Sequence, residues 1–145
     1  MNLNLKLLRA DAKVPAYGTD GAAAMDLSAC LTEPLTLNHG DLAMIPTGIA
    51  ISLPSGDYMA LVFARSGLGV KHGISLSNGV GVIDSDYRGE ISVGLTNLSQ
   101  NPYTIQNGDR IAQLAVVPVA HPGLTVVSQL DDTARSDGGF GSTGT

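Results

Sequence analysis

Cysteine is almost absent from this sequence: Cys30 stands alone among 145 residues. That excludes an intramolecular disulfide and any zinc site built from the cysteines of one chain, and a lone thiol fits a reducing compartment. Charge is scarce as well. Asp, Glu, Lys and Arg make up 14% of the chain, against about a quarter in ordinary domains, so partners are expected to cover part of the surface. The charge present leans negative, with a formal net of -5 and a pI ≈ 4.8, which excludes the basic footprint that nucleic acid or an anionic membrane requires. No apolar run reaches the length of a membrane span, and residues 1–8 are too short and too interrupted for a signal peptide. The expectation is a soluble, cytoplasmic protein that touches neither membrane nor nucleic acid directly. His39, His72 and His121 lack the spacing of metal ligands.

Helical periodicity is also missing, since nowhere do apolar residues hold helical spacing for three turns. Strand periodicity is there instead. Leu3, Leu5 and Leu7 alternate with polar residues, Ile45, Thr47, Ile49, Ile51 and Leu53 keep one parity, and Tyr58 to Phe63 is an apolar run. Further strands are predicted over residues 91–95, 103–105, 111–117 and 124–127, while 11–24 reads as an irregular loop. Turn signals such as Asn38-His39-Gly40-Asp41, Pro54-Ser55-Gly56-Asp57 and Asn107-Gly108-Asp109 punctuate them. The pattern predicts an all-β fold, a jelly-roll-like barrel or sandwich. One short helix is expected over Ser66–His72, with Ser66 as N-cap and Gly73 as stop. Residues 1–130 form the β domain, and 131–145 form a flexible Gly-rich arm. A chain of this size has no room for a cleft between domains, so a large pocket would have to lie between subunits.

The stretch from Asn78 to Glu90 stands out. It reads as a β-hairpin whose tip carries Asp84, Asp86, Tyr87 and Arg88, with glycines at 79, 81 and 89 that let the backbone turn or a flat ligand approach. Asp26 is an acid in an apolar neighbourhood, costly to bury without a partner. Arg65 and Ser66 open the short helix, where amides and a forked guanidinium suit phosphate. Gln113 interrupts an apolar strand. In the arm, Phe140 could cap a flat base, and Gly141, Ser142 and Thr143 could wrap phosphates beside Arg135. Each has a plain structural reading too: a wet turn, a loop-capping carboxylate, a capped helix, a sheet-bound amide, a linker.

Five segments occur in one order: AAAMDLSA from Ala22, ARSGLGVKHG from Ala64, NGVGVIDSDYRGEI from Asn78, GDRIAQLAV from Gly108 and RSDGGFGSTG from Arg135. As an ordered set they resemble the motifs of the trimeric deoxyuridine triphosphatase (dUTPase) family, over nearly the whole chain from Ala22. The resemblance implies a β jelly roll that assembles as a homotrimer, each site shared by three chains. It implies hydrolysis of dUTP to dUMP and pyrophosphate by water attack on the α-phosphorus, limiting uracil in DNA and supplying dUMP for dTMP synthesis. Asp84 would be the general base. The backbone of the hairpin strand around Asn78 to Val82 would read uracil, with Gly81, Val82 and Ile83 among the substrate-binding residues and Tyr87 against the deoxyribose. Arg65, Ser66, Gly67 and Gln113 would meet phosphates, and Arg135, Phe140, Gly141, Ser142 and Thr143 would close over the nucleotide. Mg²⁺ would ride on the triphosphate, with Asp26 reaching it only through water. Ala64 and Ser136 depart from the family's usual proline and glycine. Two alternatives share the fold: a dCTP deaminase-like enzyme, disfavoured because Gly94 stands where that group carries its glutamate, and a non-catalytic regulatory binding protein.

Overall fold

A computed structural model describes residues 2–139 of the chain. Its largest sheet has five strands in the order β2 (Ala16–Tyr17), β3 (Met25–Ser28), β12 (Arg110–Pro118), β7 (Tyr58–Phe63) and β9 (Gly81–Ile83). A three-stranded sheet places β10 (Ser92–Asn97) between β5 (Leu42–Pro46) and β8 (Ile74–Leu76). Two short ribbons, β1 (Asn4–Leu7) with β6 (Ile49–Ser52) and β11 (Tyr103–Ile105) with β4 (Leu35–Leu37), complete the β framework. Every pairing is antiparallel. The result is the expected all-β, jelly-roll-like fold with one short helix, α1 (Ser66–His72).

The strand alternation explains the core. Ile45, Thr47, Ile49, Ile51 and Leu53 are all buried, whereas Leu42 and Met44 on the opposite face of β5 are 71% and 68% exposed. Leu27 of β3, Ile111 and Leu114 of β12, and Val93 and Leu95 of β10 meet these side chains in one apolar cluster. Removing such side chains from water is the main force that closes the sheets on each other.

Asn97, at the end of β10, is a polar side chain with no exposed surface. Its Nδ2 donates to the carbonyls of Leu37 and Asn101, both at 2.8 Å, and its Oδ1 accepts from the Ser99 amide and hydroxyl, both at 2.9 Å. One side chain thus ties the strand end to β4 and to its own turn. Asn97→Ala strands a buried carbonyl and opens a void, and is expected to cost roughly 3 kcal/mol, read as a lowered urea midpoint at unchanged slope.

Four expectations are corrected. The first helical hydrogen bond runs from Gly69 N to Arg65 O at 2.9 Å, so Arg65, with extended backbone, is the N-cap and Ser66 is already the first helical residue. Gly73 does stop the helix, at φ 67°. Within residues 11–24 the two-residue β2 pairs with β3, extending the sheet's edge. Residues 124–127 form no strand: Leu124 and Val126 are 93% and 98% exposed, and the hydrogen bonds described beyond His121 are local to the segment. A strand needs a neighbouring ladder, and the described residues of this chain supply none there.

The fourth correction bears on the site. The two arms of the expected hairpin do not pair. Both edges of β10 are taken by β5 and β8, so β9 pairs with β7 instead, Gly81 opposite Val62. The arms splay into different sheets and leave a cleft between them.

Candidate active site

The cleft is a cavity of about 240 Å³. Gly81, Val82 and Ile83 of β9 line one side with Asn78, and residues Ile91 to Gly94 line the other. Its inner surface is apolar and buried, with Val62, Leu76, Ile83, Ile91 and Val93, while Asp84 and Tyr87 are exposed lining residues. β9 is an edge strand, so the backbone groups on its outer side have no ladder partner among the described residues and are free to read a flat, polar-edged ring. Gly81 allows the approach on the other side: a Cβ there would lie 3.1 Å from the Val62 Cβ. Gly79, at φ 74°, turns the chain into β9.

The loop after β9 is fastened at several points. Tyr87 N donates to Asp84 O at 3.2 Å, and the Arg88 guanidinium donates to the carbonyls of Ser85 and Tyr87 at 2.8 and 2.9 Å. Tyr87 Oη donates to Glu90 O at 3.0 Å. Glu90 in turn accepts the Gly48 amide at 2.8 Å and faces Arg9 across 3.7 Å. The strap carrying Asp84 and Tyr87 is therefore tied to the barrel at its far end. The Gly48 amide and the Arg9 guanidinium hold the Glu90 carboxylate, so it is engaged in structure rather than free for proton transfer.

A second polar group lies where β3, β12 and β7 meet the start of α1. Asp26 Oδ1 accepts from Arg65 Nε at 2.8 Å, and its Oδ2 accepts from the Arg110 guanidinium at 3.0 Å. The β3–β12 register sets Gln113 opposite Asp26, and the β12–β7 register sets it opposite Phe63. Its Nε2 donates to Ala64 O at 2.9 Å. Exposed Ser66 and Gly67 begin the helix beside Arg65. Both oxygens of Asp26 are occupied by arginines, which orients the guanidiniums and offsets the cost of the half-buried acid.

The expected residues thus fall into two clusters. Asn78, Gly81, Val82, Ile83, Asp84 and Tyr87 line the cleft, while Asp26, Arg65, Ser66, Gly67 and Gln113 lie outside its lining. Arg135 is exposed and, among the described residues, its side chain donates only to Gly138 O, at 2.8 Å, in its own segment. Phe140, Gly141, Ser142 and Thr143 lie outside the described residues. Sequence reasoning missed Glu90 and Arg110 as site neighbours. Glu90 is recognisable only through its distant partners Gly48, 42 positions away, and Arg9, and Arg110 only through the strand register that brings it to Asp26.

The thiol has no part in this chemistry. Cys30 is buried and directs its Sγ toward Asp11 Oδ1 at 3.4 Å. Burial, and then the Asp11 carboxylate, push its pKa above the ordinary thiol value, which keeps it protonated and unreactive at neutral pH. Among the described residues no group of three or more His, Cys, Asp or Glu side chains is placed to hold a metal ion, and no helix is long and apolar enough to cross a membrane.

A framework of packed β-sheets with a cleft able to admit a small flat ring, an acid and a phenol at the cleft, and arginines nearby has the build of a nucleotide-hydrolysing protein. Known proteins narrow that class. The dUTPase family profile matches residues 10–144. The deoxyuridine 5'-triphosphate nucleotidohydrolase of Hahella chejuensis is 51% identical over 140 residues, 97% of this chain and 92% of that protein. Among solved structures, a mutant dUTPase of Staphylococcus bacteriophage 80alpha with dUpNHpp superposes with a TM-score of 0.90 at 27% identity, covering 99% of both chains. A mutant dUTPase from phage phi11 of S. aureus, described as coordinating a structural Mg(II) ion, gives 0.81 at 25% identity, over 91% of this chain and 100% of the other. The chain belongs to the dUTPase family. It is an enzyme that hydrolyses dUTP to dUMP.

Proposed function

We propose that Asp84 performs this hydrolysis as general base, in a site assembled from three copies of the chain. The observation that carries the reading is the splayed cleft: it puts one exposed carboxylate and one exposed phenol against a cavity of about 240 Å³, with room for a small flat ring. Uracil enters between β9 and residues 91–94, its edge groups read by the unpaired backbone of β9. Tyr87 lies against the deoxyribose and leaves no space for a 2′-hydroxyl. Asp84 takes a proton from a water whose oxygen bonds to the α-phosphorus, and the bond from that phosphorus to the bridging oxygen breaks, releasing pyrophosphate and leaving dUMP.

The phosphate-facing residues, Arg65, Ser66, Gly67 and Gln113, lie outside the cleft lining of the same chain, so they serve the cleft of a neighbouring copy. The exposed apolar residues Leu124, Val126, Val127 and Leu130 support assembly, because a stretch of that kind is stable only when covered. The arm from residue 131, with Arg135, Phe140, Gly141, Ser142 and Thr143, closes over the nucleotide of a further copy and excludes bulk water. Mg²⁺ fits this donor set only as a substrate-borne ion: both Asp26 oxygens are taken by arginines, so its carboxylate reaches the ion through water. Bound to the triphosphate, such an ion would supply charge neutralisation and polarisation of the phosphoryl oxygens. The free, buried Cys30 supports work in the cytoplasm.

Deamination is not favoured. Gly94 offers no acid, a Cβ there would lie 2.6 Å from Ser77 Oγ, and Glu90 is already bound. Chromatography of products from dUTP, dCTP and UTP in heavy-oxygen water with Mg²⁺ tests the reading. Label in dUMP, from dUTP alone, is expected. Label in pyrophosphate would place attack at another phosphorus, and dUTP or dUMP from dCTP would mark a deaminase.

A further inference from the structure

Gly89 presents an unexplained glycine. Its φ is not among the positive values that favour glycine, so its backbone conformation would accept an alanine. Space is what forbids a side chain. A Cβ at residue 89 would lie 2.5 Å from Tyr87 Cζ and 3.0 Å from Tyr87 Cε2, and closer still to Tyr87 Oη. The phenol ring therefore folds back across the bare backbone of residue 89 and reaches the carbonyl of Glu90 at 3.0 Å.

The loop has little freedom to relieve such a contact. Arg88 fastens the carbonyls of Ser85 and Tyr87, the Tyr87 amide is bonded to Asp84 O, and Glu90 is held by Gly48 and Arg9. A ring is rigid, so displacing Cζ swings the whole plane and breaks the bond to Glu90 O. We propose that Gly89 is a positioning residue for sugar discrimination: its missing side chain is the space in which the Tyr87 ring is parked against the cleft. The inference rests on the reading of Tyr87 as the wall that rejects a 2′-hydroxyl. Gly89 acts through that ring and touches no substrate itself.

The test compares kcat/KM for dUTP and for UTP in the full-length wild type, Gly89→Ala, Tyr87→Ala and the double variant, with Gly56→Ala as control. Gly56 is a nearby loop glycine where a Cβ would meet nothing closer than Ser85 Oγ at 3.9 Å. Gly89→Ala is expected to lower the dUTP-over-UTP preference by about tenfold, Gly56→Ala to leave it unchanged, and Gly89→Ala to add no further loss in the Tyr87→Ala background. Should Gly89→Ala fold poorly, Tyr87→Phe, which removes only the Oη bond to Glu90 O, is expected to lower the preference in the same direction by a smaller factor. A preference untouched by both Gly89→Ala and Tyr87→Phe, but lost in Tyr87→Ala, overturns the role of Gly89 and leaves that of Tyr87 standing. An equal loss from Gly89→Ala with and without the ring also overturns it. A preference that survives Tyr87→Ala removes the reading beneath it.

Discussion

Asp84→Asn is expected to lower kcat for dUTP by about a thousandfold, within the range general-base catalysis supplies, with little change in KM. Asparagine keeps the shape of the side chain and removes only its ability to take a proton. The Asp84 side chain has no described hydrogen-bond partner within the chain, and the residue is exposed, so the fold does not depend on the charge. The free energy of unfolding should change by no more than a surface substitution changes it, about 0.5 kcal/mol or less. A variant that loses activity together with stability would locate the effect in the fold instead. One that keeps its rate would remove Asp84 from the chemistry.

Deleting residues 134–145 is expected to reduce turnover by about a hundredfold or more, the scale on which excluding water and completing a charged site act. Assembly should survive. The last strand among the described residues ends at Pro118, and the last described links to the barrel are Val119 N to Asp57 O at 2.9 Å and His121 Nε2 to Gly56 O at 2.9 Å. Those of the deleted residues that are described, 134–139, contribute nothing to the apolar cluster. Light scattering and unfolding curves should match those of the full chain while steady-state rates fall. A truncated protein that is monomeric or unfolded would assign the arm to the architecture rather than to catalysis.

Much of this architecture is legible in the residues because strand alternation is a local signal. The parity of Ile45, Thr47, Ile49, Ile51 and Leu53 foretells their burial, and Gly73 foretells the helix stop. Two apolar runs around a polar turn suggest a hairpin by the same local logic, yet β9 and β10 enter different sheets, because the partners of β10 are decided by strands distant in sequence. Residues 124–127 have the composition of a strand and lack a ladder among the described residues of their own chain. The motif order brings Asp84, Tyr87 and Asn78 to notice as a group, and the cleft unites them. The grip of Arg65 and Arg110 on Asp26 depends on the registers of three strands, which no window along the chain contains.

The shared site is the central claim, and mixed assemblies test it most directly. Asp84→Asn chains and chains lacking residues 134–145, carried on different tags, can be co-expressed and purified through both tags in turn. Each variant alone should be nearly inactive. If base and arm come from different copies, mixed assemblies contain some sites with an intact Asp84 and an intact arm, and they should recover a sizeable fraction of the wild-type rate. Mixed assemblies verified by native mass spectrometry that stay as inactive as their parents would contradict the shared site and return all of the chemistry to a single chain.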